Sequence, residues 1–249
     1  CTLIVDNKID NPVGQLGIIA LPGCEELANK IDNYLIRWRF QRNSEHKDTL
    51  AFAGYEKSTY LINMDFPRFG TGEGKAALNQ TVRGYDIYIL CDVFNYGVTY
   101  KMYGMTVPMS PDEHFANLKR AISAIEGKAK RVSVIMPMLY EGRQHKRSSR
   151  ESLDCAMMLQ ELHNMGVENF ITFDAHDPRV MNAIPLCGFE SISPAYQMIK
   201  AAVNNVDNLK INKDNIMIIS PDEGGMSRCI YYSTVLGVEL GIIPILAEK

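Results

Sequence analysis

Apolar runs of strand length alternate with segments of helical periodicity along most of the chain, a pattern that predicts a parallel sheet with crossover helices. "LGIIAL" (16–21), "YDIYILCDV" (85–93), "RVSVIMPML" (131–139), "NFITFD" (169–174) and "NIMIIS" (215–220) read as strands. After the first run, Leu27, Ile31, Tyr34, Leu35 and Trp38 recur at helical spacing and predict an amphipathic helix. Ser110-Pro111-Asp112-Glu113 marks a second helix start: a cap, a proline in the first turn, then acids near the positive end of the dipole. Its stripe is Phe115, Leu118, Ile122 and Ile125. Ser148 with Glu151 reads as a capping box for a third helix carrying Leu153, Met157, Leu159 and Leu162 and stopping near Gly166. "SPAYQMIKAAVNN" and "GGMSRCIYYSTVLG" predict two more helices, the latter ending at Gly237, and the polar stretch 39–49 predicts an exposed loop or linker. The expected fold class is α/β, with helices flanking a mostly parallel sheet over residues 16–190 and a second sheet beginning near residue 215.

Composition narrows the function more than the fold. A chain of 249 residues with 46% hydrophobic content suits one large or two modest domains with a real core. The formal net charge is −3, with acids and bases interspersed, which argues against a nucleic-acid partner and for a small polar or anionic ligand. Cys1, Cys24, Cys91, Cys155, Cys187 and Cys229 form no CxxC pair, as expected of reduced thiols in a cytoplasmic protein. No apolar run reaches the roughly 18–20 residues of a membrane span, so no membrane partner is expected. The opening at Cys1, without a signal-peptide pattern, reads as a processed or trimmed chain.

Ligands of open parallel sheets bind beyond the carboxyl ends of the strands, which directs attention to four polar loops. "PRFGTGEGK" (67–75) is glycine-rich and carries a lysine, but the spacing from Gly70 and the Ala76 after Lys75 exclude a Walker loop, and a glycine-rich turn is the plain alternative. "YEGRQHKRSSR" (140–150) places four cationic residues and His145 between a strand and a helix, which suits either an anion site or a solvated basic loop. In "FDAH", strand alternation would set Asp174 and His176 on one side, able to bind a divalent metal or to orient an attacking group; a structural acid–histidine pair is the alternative. "IISPDEGGMSR" (218–228) runs from strand to helix through Asp222, Gly224 and Gly225, which fits a phosphate or sugar site and equally a simple turn.

Four motifs in this order resemble the ribose-phosphate pyrophosphokinases, or phosphoribosyl pyrophosphate synthetases. "RFGTGE" is similar to the family's Arg-Phe-Ser-Asp-Gly-Glu segment, "GRQHKR" to its Ala-Arg-Gln-Asp-Arg loop, "FDAH" to its Asp-Leu-His motif, and "SPDEGG" to its Ser-Pro-Asp-x-Gly-Gly turn. "VRGYDIYIL" and "PGCEELANKI" extend the similarity over roughly residues 16–243. The resemblance implies transfer of the β,γ-diphosphoryl group of ATP to ribose 5-phosphate, with Mg2+, in a homo-oligomer of dimers assembling to a hexamer. It implies ATP contacts from Thr71, Gly72 and Glu73, donated by a neighbouring subunit, and from Arg143 and Gln144. It implies magnesium at His176 and Asp222, with Asp174 as an indirect partner, and substrate contacts from Asp222, Gly224 and Gly225. Residues 1–193 would be an N-terminal pyrophosphokinase domain and 194–249 an incomplete C-terminal phosphoribosyltransferase-like domain. Arg143, Gln144, Asp174, His176 and Asp222 are expected to share one cleft.

The chain departs from the family where Thr71 and His145 replace aspartates. The family's flexible-loop lysine and arginine have no counterpart, so the catalytic residues stay unassigned, and no Asp-Asp pair for the ribose phosphate occurs. Three expectations follow: a synthetase represented by a truncated chain, a non-catalytic synthetase-associated regulatory or nucleotide-binding protein, or a phosphoribosyltransferase or unrelated α/β binding protein.

Overall fold

A computed structural model of the chain describes residues 12–44, 57–206 and 209–243. These fall into two compact units divided after Ile192. The first begins with β1 (Gln15–Ala20), α1 (Glu25–Ser44), β2 (Met64–Asp65), β3 (Ala77–Leu78), β4 (Tyr85–Leu90), β5 (Thr99–Met102) and β6 (Met105–Pro108). It continues with α2 (Pro111–Ile125), β7 (Arg131–Met136), α3 (Asp154–Asn164), β8 (Asn169–Phe173), a short 3-10 helix (Pro178–Ala183) and β9 (Gly188–Ile192). The second holds α4 (Ala195–Asn205), β10 (Met217–Ser220), α5 (Met226–Leu236) and β11 (Glu239–Ile242).

The first unit is built on a five-stranded sheet of order β1-β4-β7-β8-β9 in which every neighbouring pair is parallel. Such pairs need crossover connections; α1, α2 and α3 supply three of them as the α/β reading expects, and the segment with the 3-10 helix supplies the one from β8 to β9. Alternation along the strands divides the core between the two faces. Ile19, Ile87, Ile89, Val134, Met136 and Phe170 join Leu118, Ile122, Leu159 and Leu162 of α2 and α3, whereas Ile18, Leu90 and Ile135 join Ala28, Ile31 and Leu35 of α1. The result is a three-layer sandwich.

Helix α2 begins as its sequence predicts. Ser110 accepts from the Glu113 amide at 3.3 Å, the Glu113 carboxylate accepts from the Ser110 amide at 3.0 Å, and Phe115, Leu118, Ile122 and Ile125 are all buried. The capping box expected at Ser148 does not form. The Ser148 and Ser149 hydroxyls both reach the Glu151 carboxylate, the helix starts only at Asp154, and Leu153 caps it without a side-chain bond. Its buried face is Cys155, Met158, Leu159 and Leu162, while Met157 faces solvent.

Helix α1 differs from expectation in length and in part of its face: Ile31 and Leu35 pack inward as expected, whereas Leu27, Tyr34 and Trp38 are exposed. It continues helically through residues 39–44, part of the expected loop, whose remainder (45–49) lies outside the described residues. Small Ala28 lets the helix approach the sheet, so Tyr34 and Trp38 point outward. Asp32 is buried on that same face and accepts from the Thr59 hydroxyl at 2.8 Å and the Tyr60 amide at 2.7 Å. This docks residues 60–62 beside β1, where the Ile18 amide donates to the Tyr60 carbonyl and the Ile62 amide to the Ile18 carbonyl, both at 2.8 Å. Strand β9 was not expected: "GFESI" is an exposed edge strand without an apolar run.

The second unit has a two-stranded parallel sheet, β10 with β11, and α5 between them closing on the left-handed Gly237. Among the described residues no helix is long and apolar enough to cross a membrane.

The assignment of inward faces is directly testable. Leu118→Ala should cost about 2–5 kcal/mol in a urea melt because it opens a cavity between α2 and the sheet. Met157→Ala, on the solvent face of α3, should stay within about 0.5 kcal/mol.

Candidate active site

Two of the four loops leave neighbouring strands at the same end of the sheet. β7 pairs with β8 from Ser133 opposite Asn169 to Met136 opposite Thr172, so residues 137–153 and 174–187 emerge side by side. The basic loop is anchored at its start by Tyr140. Its ring stacks on Phe115 at 4.6 Å, and its hydroxyl donates to the Asp112 carboxylate at 2.5 Å. Burial and that carboxylate push the Tyr140 hydroxyl well above its usual range, and burial raises the Glu141 carboxyl. At its other end the loop is closed by Gln144, whose side-chain amide group donates to the Ser152 carbonyl at 2.8 Å and whose backbone carbonyl accepts from the Cys155 amide at 3.4 Å. Gln144 is therefore half-buried and structural on its donor side, while Arg143 is exposed.

The second loop turns at once. β8 ends at Phe173, and Asp174 has φ 47°, in the left-handed region that aspartate tolerates better than most residues. The strand alternation assumed for Asp174 and His176 therefore does not extend to them, although both are exposed and Ala175 between them is buried. The Asp174 amide donates to Ile192 at 3.0 Å, and the Ala175 amide to the Ser191 hydroxyl at 2.9 Å, which fastens the turn to β9. Asp177 then caps the 3-10 helix by accepting from the Arg179 amide at 3.0 Å.

His145 joins the two loops. Its Nε2 lies 3.6 Å from an Asp177 carboxylate oxygen, its ring is 4.8 Å from that of His176, and its Nδ1 is 3.1 Å from the Arg143 carbonyl. The His145 and Asp177 side chains are only 10% and 13% exposed, so the tie is largely screened from solvent. Arg179 grips Asp177 through two side-chain nitrogens and its backbone amide, which with His145 holds that carboxyl well below the usual range. Arg143, Gln144, Asp174 and His176 are thus brought to one end of the sheet. Neither the His145 bridge nor Asp177 was assigned from sequence; the available signal was Asp177 followed by Pro178, a cap-and-start pair.

The glycine-rich segment has a different anchorage. Residues 66–76 form a tongue between the antiparallel strands β2 and β3, with a bridge at Arg68 and Gly74 and a tight turn in which the Gly72 amide donates to the Phe69 carbonyl at 2.9 Å. Gly72 has φ 95°, which favours glycine, and a Cβ there would sit 2.8 Å from the Met102 sulfur, so another residue would also have to displace that side chain. The Thr71 hydroxyl donates to Glu73 at 2.9 Å, and both side chains are exposed. The tongue rests on the hairpin β5–β6 rather than on the two loops above, with the Tyr103 amide donating to the Gly70 carbonyl at 2.9 Å.

In the second unit, Asp222 accepts from the Gly225 amide at 2.7 Å, tying off the turn into α5. Gly225 has φ −80°, and a Cβ would meet the Ser220 hydroxyl oxygen at 3.1 Å and Asp222 at 3.4 Å, so the glycine relieves crowding within the turn itself. A carboxylate has further lone pairs, so this bond leaves Asp222 capacity for a ligand.

Among the described residues no three His, Cys, Asp or Glu side chains stand close enough to cage a metal. Magnesium does not require such a cage: it keeps several waters and takes one or two carboxylates together with substrate phosphates. Asp174 and His176 on one exposed turn, in a loop that emerges next to the one carrying the exposed Arg143, suit that mode of binding. Cys24, Cys91 and Cys155 are buried, and burial pushes the thiols of Cys24 and Cys155 up to about 11, so none is a ready nucleophile.

Comparison with known proteins gives a consistent family. Residues 16–166 match the model of the N-terminal domain of ribose phosphate pyrophosphokinase. A ribose-phosphate pyrophosphokinase of Ralstonia nicotianae is 26% identical over 179 residues, covering 71% of this chain and 50% of the relative. One from Oceanobacillus iheyensis is 25% identical over 187 residues, covering 74% and 52%. The chain thus spans about half the length of the curated relatives it matches. The crystal structure of phosphoribosylpyrophosphate synthetase from Mycobacterium smegmatis superposes with a TM-score of 0.68 at 17% identity, covering 92% of this chain and 64% of that one, and shares its fold.

Two buried thiols, Cys155 beneath the basic loop and Cys24 on the α1 face of the sheet, fix an alkaline limit on stability. Burial raises Cys155 in the folded chain from about 9 to about 11, with Glu141 adding to the effect. A raised value in the folded state means full stabilisation below the unfolded value and progressive loss above it. Urea melts should therefore be flat near pH 8 and fall between pH 9 and 11, the window set by Cys155 and Cys24. Cys155→Ala should make that decline shallower.

Proposed function

The chain belongs to the ribose phosphate pyrophosphokinase family, and we propose that it transfers the β,γ-diphosphoryl group of ATP to the anomeric hydroxyl of ribose 5-phosphate, giving phosphoribosyl pyrophosphate and AMP. The observation that carries the reading is the meeting of the basic loop with the Asp174–Asp177 turn at one end of a parallel sheet, held by His145. Bound magnesium would neutralise phosphate oxygens as the β-phosphorus is attacked. The protein's own task is then to position the reactants.

In this reading the Arg143 guanidinium forks onto phosphate oxygens of ATP, and Gln144 offers its side-chain oxygen while its amide group keeps the loop closed. Asp174 and His176 hold the metal, directly or through its waters. Asp222, with Gly224 and Gly225 at the start of α5, takes the ribose hydroxyls. Thr71, Gly72 and Glu73 on the exposed tongue meet ATP bound to a neighbouring copy, which makes a homo-oligomer part of the proposal.

The test is ribose 5-phosphate-dependent release of AMP from magnesium-ATP. Arg143→Ala should weaken magnesium-ATP binding by about 10–100-fold, the worth of a charge-assisted contact. His176→Ala should lower turnover more than nucleotide affinity. AMP release that does not depend on ribose 5-phosphate would refute the acceptor, and undiminished affinity in Arg143→Ala would refute the nucleotide site.

A further inference from the structure

Arg68 is the one tongue side chain whose environment the proposed reaction does not explain. Its side chain is only 9% exposed, and its Nε and Nη2 find no hydrogen-bond partner among the described residues. Burying an under-satisfied guanidinium is unfavourable, so the position is not explained by stability alone. The contacts it does make converge from three separate elements. Nη1 donates to the Gly72 carbonyl at 2.9 Å and lies 3.5 Å from a Glu113 carboxylate oxygen, and the guanidinium stacks over the Tyr100 ring at 4.4 Å.

Glu113 is the hub of this arrangement. One oxygen closes the capping box of α2 and the other faces Arg68, and the same carboxylate raises the Tyr100 hydroxyl above its ordinary range. Tyr100 stands on the hairpin β5–β6, whose two-residue turn puts Tyr103 at φ 48° and Gly104 at φ 80°. A tyrosine is an unfavourable choice for that backbone region, and the amide so displayed is the one that bonds the Gly70 carbonyl of the tongue. Gly74 keeps the other flank clear, since a Cβ there would lie 3.1 Å from the Arg68 side chain and 3.2 Å from Arg120. The carbonyl that Arg68 holds belongs to the turn whose outer side presents Phe69 (55% exposed), Thr71 and Glu73.

We propose that Arg68 is a positioning residue for nucleotide binding: locked between Glu113 and Tyr100, it holds the 69–73 turn in the one conformation that presents Phe69, Thr71 and Glu73 outward, and the β5–β6 hairpin is the part of the fold that makes the lock. The inference rests on the reading of the tongue as an ATP contact. It adds that the contact is preorganised from behind by residues that never touch the ligand.

The experiment combines amide exchange over residues 69–74 with dissociation constants for magnesium-ATP and for ribose 5-phosphate. It compares Arg68→Gln, Tyr100→Leu and Glu73→Gln, with melting curves confirming that each variant folds. Tyr100→Leu attacks the lock from the hairpin side and replaces Arg68→Gln should the latter fail to fold. Arg68→Gln and Tyr100→Leu should both speed exchange in the turn and weaken magnesium-ATP by about tenfold or more, the scale of one lost hydrogen bond to a charged group, with ribose 5-phosphate affinity unchanged. Glu73→Gln should weaken magnesium-ATP without altering exchange. Unchanged exchange in the lock variants, or equal weakening of both ligands, overturns the proposal. Faster exchange without loss of ATP affinity also overturns it, and Glu73→Gln then locates the fault: if Glu73 matters the lock is irrelevant to binding, and if it does not the tongue is no nucleotide site.

Discussion

The parallel pairing of β7 with β8 is the constraint on which the candidate site depends. Parallel neighbours leave the sheet at the same end, so two loops that lie far apart in sequence become adjacent without any further device. The core on either face of these strands resists sliding, because a slip of one residue would exchange the inward and outward sets. The distance from His145 to Asp177 is therefore set by strand register first and by loop conformation second. Tyr140 on one loop and Ser191 beneath the other then remove most of the remaining freedom.

Two different kinds of anchorage serve the polar segments. The basic loop and the Asp174–Asp177 turn are tied to each other through His145 and Asp177, the immediate sequence neighbours of the candidate groups Gln144 and His176, so a change in one loop is felt by both. The tongue is supported from behind by α2 and the hairpin, and its outward side chains carry little of the load. Mutual bracing suits groups that must share one ligand. Support from the rear suits a surface offered to something outside the unit.

Legibility in the sequence followed the number of independent local signals. Helix α2 was readable because Ser110, Pro111 and Glu113 each point to the same start and its apolar stripe is regular. Helix α3 was misread at its start because Ser148 and Glu151 carry the pattern of a box yet satisfy each other, and periodicity alone did not distinguish Met157 from Met158. The face of α1 was legible at Ile31 and Leu35 but not at Tyr34 and Trp38, which outweighed Ala28 on hydrophobicity whereas close packing favoured the small residue. At the site, the motifs marked the loops, but the ties within them depend on pairs such as His145 with Asp177 and Arg68 with Glu113. Such pairs arise from tertiary folding and leave no periodic trace.

The left-handed backbone at Asp174 has a consequence for mutational scanning of this chain. Alanine at 174 would remove a carboxylate and also force a residue with an ordinary Cβ into a region that costs roughly 1–2 kcal/mol, so its effect would mix lost charge with a disturbed turn. Asparagine tolerates the same backbone and removes only the charge, while glycine accepts the backbone and removes the side chain entirely. Any score for position 174 taken from alanine alone would overstate the carboxylate, and a library tolerant only of Asp, Asn and Gly there would be reporting geometry before chemistry.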